Sequence, residues 1–143
     1  MALHITSSSK LYKVKVLSRY TLKALILQEI ERQGPDADLN FIDTSEMTDM
    51  CYLFENLQIR NIKIEYWDVS NVKNMRYMFH DCRHFNSNIS RWDVSNLEDT
   101  HQMFRNCSEF NCDLSNWNLS KLRSKAGMFF GAHKLEPNNR PII

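Results

Sequence analysis

Apolar and polar positions along this chain follow a pattern that returns every 25 residues. Ile64, Trp67 and Val69 are followed by Ile89, Trp92 and Val94, and then by Leu114, Trp117 and Leu119, with Leu39, Ile42 and Thr44 as a weaker first copy. Short segments of this L-x-x-L-x-L form predict strands with one inward face. Directly after them the period changes. Val72, Met75, Met78, Phe79 and Cys82, and likewise Leu97, Met103, Phe104 and Cys107, recur at three- and four-residue spacing, which predicts a short helix. Ser70, Ser95 and Ser120 stand just before these stripes as candidate N-caps, and Ser95 has Glu98 three residues on, as a capping box requires.

The repetition extends to whole phrases. Trp67 to Phe79 reads WDVSNVKNMRYMF, Trp92 to Phe104 reads WDVSNLEDTHQMF, and Trp117 to Phe129 reads WNLSKLRSKAGMF, with IDTSEMTDMCYLF from Ile42 to Phe54 as a fainter first copy. A fixed period of this length is the mark of a repeat architecture. One short strand and one short helix cannot bury their own apolar face, so stacking of neighbours supplies the stability. The expected fold is therefore α/β: a short solenoid of about four strand–helix units. Equivalent side chains then form columns, and the inward columns are Ile64, Ile89 and Leu114; Trp67, Trp92 and Trp117; Val69, Val94 and Leu119; and Phe79, Phe104 and Phe129. Phe85 and Phe110 join them. Met50, Met75, Met78, Met103 and Met128 lie on the predicted helical stripe, which favours packing over a flexible thioether binding surface. The tryptophans fit the inward pattern and read as core in preference to an exposed ligand-stacking column.

Residues 1–36 do not repeat. The stretch 11–17 alternates with lysines and reads as a strand, and 21–33 (TLKALILQEIERQ) reads as an amphipathic helix ended by Gly34-Pro35. This segment is expected to act as an N-terminal helical cap, with residues 37–143 holding the four repeats and a short tail. The ending EPNNRPII is too short for a capping unit, so either Pro141-Ile142-Ile143 folds back over the last core layer or that layer is a candidate homo-dimer surface.

Composition narrows the function. A formal net charge of +1, from 18 Lys and Arg against 17 Asp and Glu, gives no footprint for nucleic acid. No apolar run is long enough for a membrane span, and the first residues lack the features of a signal peptide. The expected location is cytoplasmic, with export by another route as the alternative. Cys82 and Cys107 share a repeat position and read as small buried hydrophobes; Cys51 and Cys112 fall elsewhere, so free thiols are expected.

In the L-x-x-L-x-L pattern the x positions face outward. Phe41, Tyr66, Arg91 and Asn116 form a column that varies between units, and it contains residue types enriched at binding hot spots. Beside it run Asp43, Asp68, Asp93 and Asn118. Partner binding is expected at Phe41, Tyr66, Arg91, Asn116, Asp68 and Asp93. The stacked aspartates raise the question of a bound calcium ion, but Asn118 serves in the same place, and an aspartate there can accept backbone amides in a turn. His80, Cys82 and His84 offer alternate zinc-type ligands, yet Cys82 belongs to the core column and no second pair has ligand spacing. With only Gly34, Gly127 and Gly131, there is no phosphate-cradling loop, and no nucleophile elbow occurs. No cofactor, metal site or catalytic residue is expected.

The phrases WDVSNVKNMRYMF, FNSNISRWDVSNL and FNCDLSNWNLS resemble the 25-residue repeats of the BspA-like leucine-rich-repeat proteins, first catalogued as a domain of unknown function in mycoplasma and other bacterial surface lipoproteins. The stretch 34–54 is similar to the sequence that often precedes the first repeat in that family. The resemblance covers about residues 20 to 135. It implies a leucine-rich-repeat-type solenoid, and members that bind host proteins or other cells. With about four units and no anchor motif, the chain is expected to be a non-catalytic protein–protein interaction module, of inhibitor or immunity type. The alternative is a self-assembling structural or surface, adhesin-related repeat protein.

Overall fold

A computed structural model describes residues 13–143. Its regular structure, among those residues, is one helix, two short strands and a single 3-10 turn at Pro137–Asn139. The expected solenoid of four strand–helix units with an N-terminal helical cap is therefore not the fold. The reason lies in where the backbone amides go. Between Val69 and Phe85 the chain closes successive three-residue turns, with Val72 N–H donating to the Val69 carbonyl, Met78 to Met75, His80 to Tyr77 and Cys82 to Phe79. The intervening amides of Met75, Tyr77, Phe79 and Asp81 instead donate to the carbonyls of Asp99, His101, Met103 and Arg105 in the next unit, at 2.9–3.0 Å. Amides committed in these two ways are not available for the i→i−4 bonds of an α-helix. A turn also advances about three residues, so a chain of turns reproduces the spacing that sequence reading assigns to helices.

Two repeated positions fix this path. Tyr52, Tyr77, Gln102 and Gly127 have φ of 62°, 55°, 51° and 66°; Asn56, Asp81, Asn106 and Gly131 have 59°, 62°, 61° and 82°. A left-handed residue every 25 positions interrupts any helix. The segments expected to be strands fare no better, because Asx-turns bend them. Ser70 and Ser95 donate their amides to Asp68 Oδ1 and Asp93 Oδ1 at 3.0 and 3.1 Å, and Ser120 donates to Asn118 Oδ1 at 3.1 Å. The serines expected as helix N-caps are thus turn donors with no helix after them. Parallel pairing between units shrinks to isolated bridges along Asp49, Asn74, Asp99 and Ser124, with one more between Asp38 and Lys63.

The core is one continuous cluster. The Ile64, Trp67, Val69 and Phe79 columns are buried in successive units, save for half-buried Phe129 at the end. Phe54, Phe79, Phe104 and Phe129 stack at 5.2–5.6 Å between centroids. Trp67, Trp92 and Trp117 stack at 6.4–6.5 Å. Each indole N–H reaches down the stack, from Trp67 to the Leu39 carbonyl, from Trp92 to Ile64 and from Trp117 to Ile89, at 2.8–3.0 Å. Burying a tryptophan thereby leaves no unpaired donor.

At the N-terminal side, β1 (Val14–Lys15) pairs in parallel with β2 (Ile42–Asp43), Val14 opposite Ile42. Of the strand expected over 11–17 only Val14–Lys15 is a strand, and positions 11 and 12 lie outside the described residues. Helix α1 (Arg19–Gln33) starts after Ser18, whose hydroxyl accepts from the Thr21 amide, and ends at Gly34, whose φ of 90° favours glycine. Leu22 and Ile26 are buried in the core, and buried Glu29 accepts from Arg32 and Gln33.

Candidate functional site

The column that sequence reading favours is mixed. Tyr66 is 63% exposed, and Arg91, Asn116, Asp68 and Asp93 are exposed, whereas Phe41 is half-buried and packed against the core. The Asp68 and Asp93 carboxylates also accept their own serine hydroxyls, both at 2.6 Å. That bond, followed by the Ser95 amide, holds the Asp93 carboxyl below its ordinary pKa. Oδ1 of each carboxylate is thus a turn former.

A second surface gathers more binding chemistry. Tyr52 and Tyr77 stack face to face with centroids 4.8 Å apart and an interplanar angle of 12°. His80 and His101 meet the Tyr77 ring edge-on at 5.4 and 5.3 Å. The Arg76 guanidinium lies 5.8 Å from the same ring and pairs with Asp99 Oδ2 at 3.1 Å. One unit further on, Arg105 sits 4.7 Å over Phe130, which is 63% exposed. The two tyrosines occupy left-handed positions that cost bulky residues roughly 1–2 kcal/mol each. Glycine stands there in the last unit without that cost.

Sequence reading placed these tyrosines on a helix and so missed their alignment. A signal was present: the column Tyr52, Tyr77, Gln102, Gly127 ends in glycine, and so does Asn56, Asp81, Asn106, Gly131. Glycine and Asx residues at one repeat position mark a left-handed backbone.

His80, Cys82 and His84 do not converge. The Cys82 thiol is buried, donates to the Phe54 carbonyl at 2.9 Å, and is pushed up by burial to about 12. His84 lies outside beside Glu109 at 3.4 Å, and His80 faces Glu55 and Asp81 at 3.3 and 3.4 Å. Among the described residues no group of three His, Cys, Asp or Glu side chains is arranged to hold a metal ion. A cleft of about 460 Å³ is lined by Arg60, Asn61, His84, Asn86, Glu109 and Asn111, among others. Such walls are polar, unlike the apolar lining of a typical small-molecule site. All four cysteines are free. No helix among the described residues is long and apolar enough to cross a membrane.

Neither a curated protein nor a solved structure matches this chain. One family does, over residues 26–140, a span that takes in the last turns of α1 and all the repeated units. The chain belongs to the family described as Mycoplasma protein of unknown function, DUF285.

Proposed function

We propose that the chain is a non-catalytic protein-binding module that engages its partner through the Tyr52–Tyr77 face. The observation that carries this reading is a pair of stacked tyrosines held at left-handed positions where glycine would serve the fold better. Backbone strain kept at a partly exposed aromatic pair, with Tyr52 exposed and Tyr77 half-buried, is a mark of a functional surface, and Tyr and Arg lead the residue types at interface hot spots. Arg76, paired with Asp99, and His101 add donors beside the Tyr77 ring. The resemblance to BspA-like surface proteins, whose members bind proteins or cells, supports the same class of function. Four free cysteines, of which Cys51, Cys82 and Cys107 are buried, favour a reducing, cytoplasmic setting.

The test is affinity capture with three versions of the chain. Tyr52→Gly/Tyr77→Gly removes both rings while relieving their strain, so the fold persists. Tyr66→Ala/Arg91→Ala removes the column favoured by sequence reading. A partner held by the wild type and the second variant but lost by the first supports the reading. Loss only with Tyr66→Ala/Arg91→Ala moves the interface to that column, and equal capture by all three versions refutes both placements.

A further inference from the structure

Along one column of the repeat a side-chain oxygen accepts the amide 25 residues on, and the rule is broken once. Asp36 Oδ1 accepts from the Asn61 amide at 3.0 Å, Asn86 Oδ1 from Asn111 at 2.9 Å, and Asn111 Oδ1 from Glu136 at 3.0 Å. Between Asn61 and Asn86 the rung is missing. The Asn86 amide donates to the Arg60 carbonyl at 3.0 Å instead, and the Asn61 carboxamide has no hydrogen-bond partner among the described residues. The residue before Asn61 departs from the pattern too. Phe85, Phe110 and Leu135 are buried at this position in the later units, whereas Arg60 is exposed and pairs with Asp36 Oδ2 at 2.7 Å. Both departures lie mid-stack, with a unit on either side, and both residues line the polar cleft of about 460 Å³. A repeat that breaks its own packing rule beside a cleft marks a place kept for something other than the fold.

We propose that this cleft binds a neutral, linear oligosaccharide, with one sugar to each unit. The walls carry two fixed cations, Arg60 and Lys134, and two carboxylates, Glu109 and Glu136, so no excess of positive charge is there to hold a polyanion. Asn61 offers both a donor and an acceptor, and the Nδ2 groups of Asn86 and Asn111 have no acceptor among the described residues. A hydroxyl, which both donates and accepts, matches such a row. Spacing separates a sugar chain from a peptide. Phe85 and Phe110, which precede Asn86 and Asn111, stack with centroids 5.4 Å apart, close to the rise of one hexose in a linear chain. An extended peptide turns equivalent groups to one side only every second residue, about 6.7 Å, and falls out of step within two units.

No Trp, Tyr or Phe lines the cleft, so hydrogen bonds carry the affinity and a Kd of about 1 mM is expected. The cleft shares no residue with the Tyr52–Tyr77 face, so the two proposals stand or fall independently.

The experiment titrates linear tetrasaccharides of glucose, N-acetylglucosamine, mannose and galactose into the full chain, with tetra-alanine and a sulfated glucose tetrasaccharide as comparisons. Backbone and carboxamide resonances are followed by NMR. The expected result is saturable shifts at Asn61, Asn86 and Asn111 with at least one neutral sugar and with neither comparison. Arg60→Ala/Asn61→Ala should weaken binding about tenfold, with thermal stability nearly unchanged because the Arg60–Asp36 pair is exposed. Tyr52→Gly/Tyr77→Gly should leave binding intact. Four results would each overturn the proposal: no saturable shift with any of the four neutral sugars, shifts confined to residues outside the cleft, tighter binding of tetra-alanine or the sulfated sugar, or full binding by Arg60→Ala/Asn61→Ala.

Discussion

Trp92→Phe tests whether the units are held together by their indole column. Trp92 is 4% exposed, lies between Trp67 and Trp117, and donates to the Ile64 carbonyl at 2.9 Å. Phenylalanine keeps an aromatic ring but cannot donate. The Ile64 carbonyl still accepts from the Trp67 amide at 3.1 Å, so the lost hydrogen bond costs about 1 kcal/mol and not a full desolvation penalty. The smaller ring gives up roughly 40 Å² of buried apolar surface, about 1 kcal/mol at 25 cal/mol per Å². It leaves roughly 35 Å³ unfilled, worth about 0.8 kcal/mol more in a site walled above and below by other indoles. The expected loss is about 3 kcal/mol, a fall in Tm of roughly 10 °C for a chain of this size. Trp117→Phe provides the internal comparison. Trp117 makes the same bond to Ile89 at 3.0 Å, but no further indole covers its outer side, so its cavity can collapse and the cost should be about 2 kcal/mol. Urea unfolding followed by circular dichroism, with the m-value checked for constancy, gives both numbers. A Trp92→Phe loss under about 1 kcal/mol, or a larger loss at Trp117 than at Trp92, would refute the reasoning.

Further consequences can be checked with ordinary chemistry. Burial pushes the Cys82 thiol to about 12 and raises that of Cys107 as well, so at about pH 8 neither should react with iodoacetamide until the chain unfolds; mass spectrometry of modified peptides reads this directly, and fast native labelling of either would contradict the packing. Gly131→Ala should cost about 1–3 kcal/mol, because φ is +82° and the added Cβ would collide with Asn106 Oδ1; a variant as stable as wild type would show that the turn path is wrong. Hydrogen bonds from Ser45 and Ser95, hydroxyl first and amide second, lower the Asp43 and Asp93 pKa values. A carboxyl whose folded pKa is depressed stabilises the fold above its unfolded value and loses that contribution as pH falls, so stability should drop below about pH 4. Asp43→Asn/Asp93→Asn keeps the turns, as Asn118 does naturally, and should flatten that acid limb in pH-dependent urea titrations; an unchanged limb would exclude these two groups as its source.

How far the chain could be read in advance depended on the kind of feature. The Trp67, Trp92 and Trp117 column was legible because a polar-to-apolar choice repeated at fixed spacing reports burial directly, whatever backbone carries it. The left-handed positions were legible in principle through Asn56, Asp81, Asn106 and Gly131, whose residue types share one backbone requirement. The helices were not, and the failure is specific. Val72, Met75, Met78, Phe79 and Cys82 are all buried as a helical stripe would have them, but three-residue turns bury the same positions. Side-chain spacing near three cannot tell which acceptor each amide will choose. In the expected binding column Asp68 and Asp93 are exposed, as their pattern implied, and what the pattern did not give is that Oδ1 of each accepts from Ser70 and Ser95.

By itself, then, the sequence determined the 25-residue period, the family, and which side chains lie inside, because those follow from residue type and position alone. Only the tertiary structure decided the backbone path. The amides of Tyr77 and Phe79 bond to His101 and Met103 in the next unit, and such a bond exists only once two distant segments are packed together. The same holds for the tyrosine stack at 4.8 Å, which is made by stacking and which no single repeat contains.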